Sequence, residues 1–288
     1  MSTDAQAAPT IAITGATGHV GRQVARLLSE SGIPARLIVR NPARAPQLPG
    51  MTTAQASFGD RQASRAALEG IRTLFMVSAD EAPDRIEQHE AFINAAADAG
   101  VEHIVYTSFF GAAPDATFTL ARDHFTTEEM LRASGLKHTL LRDNLYQDVL
   151  IDFAGPEGII RGPADDGKAG FVAREDVARV AAKILAEPMP HAGFTYELTG
   201  PESLTLAEAA AIISEATGKP TSFVDETVEE AYASRARYKA PDWQLDAWVS
   251  TYTAIACGEL DKVTNDVELL TGRRPLSLRE LLSGTGAA

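Results

Sequence analysis

The chain has 288 residues, 45% of them hydrophobic, with a single cysteine and a formal net charge of −13. That acidity argues against nucleic acid or an anionic membrane as the main partner, since both are held by basic patches, and a lone Cys257 excludes an internal disulfide and fits a reducing compartment. No apolar run reaches membrane-spanning length, and residues 1–9 lack the basic and apolar regions of a secretory signal, so a cytoplasmic protein without a membrane span is expected, with residues 1–9 as a disordered tail.

The first element is a short apolar strand, Ile11–Thr14, that runs into Gly15-Ala16-Thr17-Gly18-His19-Val20-Gly21. Gly15 allows a sharp turn, Gly18 lets the backbone approach a pyrophosphate, and Gly21 lets the following helix pack close on the strand. Val20, Val24, Leu27 and Leu28 continue at helical spacing. A strand, a glycine turn and a helix in this order predict that residues 15–21 hold the phosphates of a dinucleotide on the unpaired N–H groups of a helix start.

Strands and amphipathic helices then alternate. Strands are predicted at Ile11–Thr14, Ala35–Val39, Thr52–Ala56, Thr73–Val77, His103–Thr107 and His138–Arg142, and helices at Val20–Ser31, Gln62–Leu68, Asp84–Ala99 and Leu120–Ser134. Ser31-Gly32 and Ala99-Gly100 read as helix stops. The pattern predicts an α/β fold, a Rossmann-like doubly wound parallel sheet with its ligand at the carboxyl ends of the strands.

Past Arg142 the rhythm changes. Gly155–Gly170 reads as loop, Phe171–Ala173 as an extended piece before a helix at Arg174–Leu185, and Thr195–Leu198 as a strand. Thr205 to Glu208 and Thr227 to Glu230 match capping boxes that open helices; Phe223-Val224 between them suits a short strand, and Pro241–Leu282 is mostly helical. The expected organisation is a dinucleotide-binding domain over 10–150 and a smaller, mainly helical substrate lobe over 151–288 packed on the sheet. Cys257, among apolar neighbours, reads as inert packing.

Several segments resemble one family. Leu37–Arg44 (L-I-V-R-N-P-A-R), His89–Ser108, Thr127–Arg142, Phe171–Ala178 and Tyr196–Ala210 are similar to the NmrA-like atypical short-chain dehydrogenase/reductases, as is the T-G-A-T-G-x-x-G form of the glycine turn. Within that group the likeness is strongest to the type 2 NAD(P)H:quinone oxidoreductases and the triphenylmethane reductases, the latter through Leu141–Asp148 (L-R-D-N-L-Y-Q-D). The resemblance runs from Thr10 to Leu282. It implies that the loop after the second strand meets the adenosine ribose, where Arg40 and Arg44 would hold a 2′-phosphate and select NADP (NADPH); the alternative is a solvated basic loop. It implies an adenine-edge role for Asp60, which also suits a helix N-cap, and places Val77 and Ser78, with Thr107 and Ser108, beside the pyrophosphate and nicotinamide.

Ordinary short-chain dehydrogenases protonate a carbonyl through a Tyr-x-x-x-Lys pair. Leu120 and His124 stand at those positions here, so neither member is present. His124, whose ordinary pKa of ~6.5 suits proton transfer, is a candidate donor or ribose ligand, or a packed core histidine. A quinone-like or dye-like acceptor, or an aromatic biosynthetic intermediate, requires less acid catalysis, because charge spreads through its conjugated system and water can deliver the proton; positioning then dominates. Asn144 and Tyr146 are candidates to line its pocket and Phe109 and Phe110 to stack on it; core aromatics and loop polar groups are the alternative. The six histidines show no metal-ligand spacing, and no nucleophile elbow is present. The expected activity is hydride transfer from NADPH to a small conjugated acceptor; an NADP(H)-binding redox sensor acting on a partner protein is the alternative. The oligomeric state stays open, a homo-oligomer being compatible with the sequence.

Overall fold

In the computed structural model the described residues are 8–284, so the tail expected over 1–9 lies, except for Ala8 and Pro9, outside them. The first half alternates β1 (Ile11–Ile13), α1 (His19–Glu30), β2 (Ala35–Val39), β3 (Met51–Gln55), α2 (Arg61–Leu68), β4 (Thr73–Met76), α3 (Arg85–Asp98), β5 (His103–Phe109), α4 (Thr119–Ala133) and β6 (Lys137–Asp143). The second half carries α5 (Leu150–Ala154), β7 (Ile159–Gly162), β8 (Lys168–Ala169), α6 (Arg174–Ala186), β9 (Thr195–Leu198), β10 (Leu204–Thr205), α7 (Leu206–Thr217), β11 (Ser222–Asp225), α8 (Val228–Arg235), α9 (Asp242–Ala256), α10 (Asp266–Thr271) and α11 (Leu278–Leu282).

The apolar spacing explains the first helix. Val20, Val24, Ala25 and Leu28 fall on one face of α1 and are buried, and Gly32 at φ 70° ends it in the left-handed region. The central strands are buried along their length, as expected where both faces of a sheet are covered. Seven strands form the sheet in the order β3-β2-β1-β4-β5-β6-β9, so the order reverses at β1 and β4. The recorded pairings of β1 to β5 are all parallel. Between β6 and β9, Leu140 N–H donates to Phe194 O and Asn144 N–H to Leu198 O, each at 3.0 Å. The constant offset makes β9 parallel too.

Two expectations need correction. Gly155–Gly170 is not simply loop: β7 pairs in parallel with β11 and β8 antiparallel with β10. The partners of these short strands lie tens of residues away, so no local period announces them. Cys257 is exposed rather than packed. The capping boxes at Thr205/Glu208 and Thr227/Glu230 are both formed, and a third at Ser277/Glu280 opens α11.

By contacts the chain divides into two compact units that interleave in sequence. The first runs to Ser108 and includes Thr126–Leu141 and Val177–Tyr196; the second comprises Phe109–Phe125, Arg142–Asp176 and the chain from Glu197 onward. Each has its own core. In the first, Leu74, Met76, Phe92, Ile104 and Tyr106 are fully buried together, and in the second Ile160, Phe171, Leu206 and Ile255 are. At about 1.5–3 kcal/mol per buried large apolar side chain, these clusters supply the dominant favourable term for each unit.

Candidate active site

In the first unit the glycine turn lies at the reversal of strand order, where open α/β sheets bind ligands outside the carboxyl ends of their strands. Gly15 follows β1 at φ 64°, and a Cβ there would stand 2.9 Å from Val77 Cβ, just past β4. A Cβ at Gly21 would stand 2.5 Å from the Gly15 carbonyl oxygen. These two glycines are therefore required by the fold itself. Gly18 is different: a Cβ there would meet only the Gly15 oxygen, at 3.3 Å. Gly15, Gly18 and His19 are exposed, Thr17 is half-buried, and Ala16, Val20 and Gly21 are buried. Gly18 is the N-cap of α1 and caps it with no side chain. The first turn thus opens at an exposed cap residue that carries no side chain, which suits a pyrophosphate.

Side chains tie the neighbouring strand ends together. Val77 N–H donates to Thr14 Oγ1 at 2.8 Å, and Ser78 N–H donates to Thr107 Oγ1 at 2.9 Å. Ala79 N–H donates to His89 Nε2 at 2.9 Å, so Nδ1 of the neutral ring donates to Thr127 Oγ1 at 2.8 Å. Burial first, and then the Arg85 cation, push His89 down to about 3, which keeps that ring neutral. Arg85, itself buried, donates to Ser78 Oγ. Ser108 donates to the buried Glu128 at 2.6 Å, a carboxylate also paired with Arg132 at 3.0 Å.

Arg40 follows β2 and forms an exposed ion pair with Asp80 at 2.9 Å. Arg44 is exposed at the end of a single turn begun by Asn41, whose side chain accepts from Ala43 N–H at 3.0 Å. Asp60 is the N-cap of α2 and accepts from Ala63 N–H at 2.9 Å. Among the described residues, no group of three or more His, Cys, Asp and Glu could hold a metal ion.

The second unit holds the other predicted residues. Asn144, expected to line the acceptor pocket, is 1% exposed and holds the main chain instead. Its amide donates to Leu260 O at 3.1 Å and its Oδ1 accepts from Leu145 N–H at 2.7 Å. His124 is 8% exposed on α4, with its ring 6.1 Å from that of Phe109, which in turn lies 4.8 Å from Phe118. Phe110 is a core residue. Tyr146 is half-buried and donates to Asp143, the last residue of β6, while the Arg174 guanidinium lies over its ring at 4.9 Å. Burial pushes the Asp143 carboxyl up to about 7, against the opposing Tyr146 hydrogen bond and Arg174 charge. The Tyr146 phenol is pushed well above its ordinary value by burial and by the Asp143 carboxylate.

The residues not anticipated from the sequence are Thr14, Asp80, Arg85, His89, Asp143 and Arg174. For Asp143 a signal existed: a carboxylate closes the strand directly after Leu140-Leu141-Arg142, three positions before a tyrosine.

Residues 15–188 match the family described as NAD(P)H-binding. Quinone oxidoreductase 2 of Escherichia coli is 35% identical over 281 residues, spanning 95% of this chain and 97% of that protein. The crystal structure of an E. coli NADPH-dependent quinone oxidoreductase with NADPH superposes with a TM-score of 0.87 at 34% identity, covering 96% of this chain and 99% of that one. Citrobacter sp. triphenylmethane reductase complexed with NADP(H) gives a TM-score of 0.83 at 29% identity, covering 96% and 99%. The glycine turn, the sheet order and these near full-length likenesses agree: the chain belongs to the NAD(P)H-binding family.

Proposed function

We propose that this chain is an NADPH-dependent oxidoreductase that transfers hydride to a small conjugated acceptor, quinone-like or dye-like. The observation that carries the reading is the exposed turn at Gly15, Gly18 and His19 with a basic residue, Arg40, at the end of the next strand. The first feature suits a pyrophosphate and the second a 2′-phosphate, which a carboxylate at that place would repel. Arg44, on the same loop, supplies a second cation. The likeness to a quinone oxidoreductase and a triphenylmethane reductase supports the acceptor class.

When bound, the dinucleotide supplies a hydride. The chain's own residues then have three tasks: to hold the phosphates, to hold the acceptor, and to provide a proton where the acceptor needs one. The glycine turn and Arg40 serve the first. Tyr146, the half-buried aromatic beyond β6, serves the second by offering the acceptor a ring edge and a hydroxyl. Asn144 positions Tyr146 by fixing the main chain two residues before it. Steady-state NADPH oxidation against a panel of quinones, dyes and enones tests the reading: turnover is expected with conjugated acceptors, and none with any of them would reject it.

A further inference from the structure

The missing Tyr-x-x-x-Lys pair leaves open where the proton for a quinone comes from, and the loop beyond β6 carries an answer. Tyr146 donates to Asp143 three residues earlier, and the Arg174 guanidinium covers the same ring at 4.9 Å. Main-chain bonds hold the three in place. Gln147 N–H donates to Val172 O and Val172 N–H to Leu145 O, both at 2.9 Å, so the Tyr146 segment and the segment leading to Arg174 run side by side. Arg174 N–H is in turn accepted by Asp148 at 2.9 Å. Asp143 is 5% exposed and Tyr146 half-buried, so Tyr146 is the more accessible member of the pair.

We propose that Tyr146 is the proton donor to a reduced quinone and that Asp143, acting through it, is the positioning residue that resupplies the proton. This rests on the oxidoreductase reading above. Hydride addition brings two electrons to the quinone and leaves a hydroquinone anion, while NADPH becomes NADP⁺. The phenol O–H then breaks as the hydroquinone O–H forms. The carboxyl O–H of Asp143 breaks as the phenol O–H is restored, and the carboxylate regains its proton from solvent. Arg174 stabilises the phenolate character that develops on the ring.

The pair works in one protonation state only. With Asp143 neutral, its carboxyl donates to the phenol oxygen and leaves the phenol proton free for the acceptor. With Asp143 ionised, the phenol proton is held by the carboxylate. The carboxyl is pushed up to about 7 by its burial, so the change falls near neutral pH. The other charged groups acting on the pair are Arg174, which favours ionisation of both members, and Asp148, which disfavours it at Tyr146.

A cationic triphenylmethane dye provides the control. Its central carbon accepts hydride to give a neutral product, with no proton required, so the proposed donor is idle for that substrate. The experiment compares wild type, Asp143→Asn and Tyr146→Phe with menadione and with crystal violet from pH 5.5 to 9. The expected result is that wild-type kcat for menadione falls about tenfold per pH unit above ~7, as for a single essential acid. Both variants should lose ~10²-fold or more with menadione and lose that limb. With crystal violet, for which Tyr146 only holds the acceptor, both variants should lose at least tenfold less than with menadione and show no such limb. Independently of turnover, difference infrared spectra of the free protein should show a protonated carboxyl titrating near pH 7 in wild type and absent in Asp143→Asn. Equal losses with both acceptors, or no loss with menadione, or a wild type that reduces only the dye, would overturn the proposal while leaving the oxidoreductase reading intact. A wild type inert towards both acceptors would remove the reading and the proposal together.

Discussion

Asp80 and Arg40 form an ion pair, 2.9 Å between Nη2 and Oδ2, joining the segments beyond β4 and β2. Those strands flank β1, so the pair spans the end of the strand that leads into the glycine turn. Both side chains are about three-quarters exposed, and a surface pair of this kind is worth only ~0.2–1 kcal/mol. A phosphate dianion can therefore displace the carboxylate. Arg40→Ala should weaken NADPH binding by about 1.5–3 kcal/mol, tenfold or more, and leave NADH nearly unchanged. Asp80→Asn should tighten NADPH a few-fold, most at low salt. Titration by cofactor fluorescence measures both, and equal wild-type affinity for NADPH and NADH would reject the assignment of Arg40.

The glycines separate fold from ligand. A side chain at Gly21 would collide with the Gly15 carbonyl at 2.5 Å, so Gly21→Ala should destabilise by ~1–3 kcal/mol through overpacking. Gly18 is less crowded, its imagined Cβ standing 3.3 Å from the Gly15 carbonyl oxygen, a contact that a shift of a few tenths of an ångström relieves. Gly18→Val should keep a native circular dichroism spectrum and cooperative melting yet lose NADPH binding. Unchanged affinity in that variant would place the cofactor elsewhere.

His124 tests whether acid catalysis passes through the helix that holds the tyrosine and lysine of ordinary short-chain dehydrogenases. It is 8% exposed beside Phe109, as a packing residue would be. His124→Ala should lower kcat by well under the ~10²–10⁴ expected on removing a general acid. Its main effect should be on melting temperature. A loss of two or more orders of magnitude, together with loss of a limb in the pH profile, would make His124 the donor.

Two buried histidines set an acid limit to stability. His89 and His103 are pushed down, chiefly by burial, to about 3 and about 4. Their ordinary value is ~6.5, so on acidification the unfolded chain takes up their protons before the folded one does. Their contribution is complete above ~6.5 and declines as pH falls towards 4 and 3, at up to ~1.4 kcal/mol per pH unit for each. Asp143, raised to about 7, works in the opposite sense, being most favourable below its unfolded value and lost as pH rises through 7. The two effects separate spectroscopically: the ring protons of His89 and His103 should not titrate by NMR above pH 5. A titration of either near 6.5 would contradict their neutral burial.

Much of the sheet was legible because its signals are local. Ile11–Ile13, Leu37–Val39 and Leu74–Met76 are apolar runs with glycine, proline or polar residues close by, and the capping boxes at Thr205 and Thr227 are four-residue patterns. The strands β7 and β8 were not legible, because Ile159–Gly162 becomes a strand only through β11, some sixty residues later. The candidate site divides in the same way. The glycine turn is a contiguous motif, whereas His89 reaches the post-β4 loop only after folding, and Asp80 meets Arg40 forty positions away. The role of Asn144 was open in the sequence, because a polar residue beside a strand end looks the same whether it faces a ligand or ties down the backbone.

The central claim, direct hydride transfer from NADPH to a conjugated acceptor, is tested most directly with NADPH deuterated at the transferable position of its nicotinamide ring. Crystal violet reduced by the wild-type protein should yield a colourless product carrying one deuterium at the central carbon by mass spectrometry. Quinone-dependent NADPH oxidation should show a primary isotope effect. Tight NADPH binding with no oxidation and no deuterium transfer to any acceptor would contradict the account.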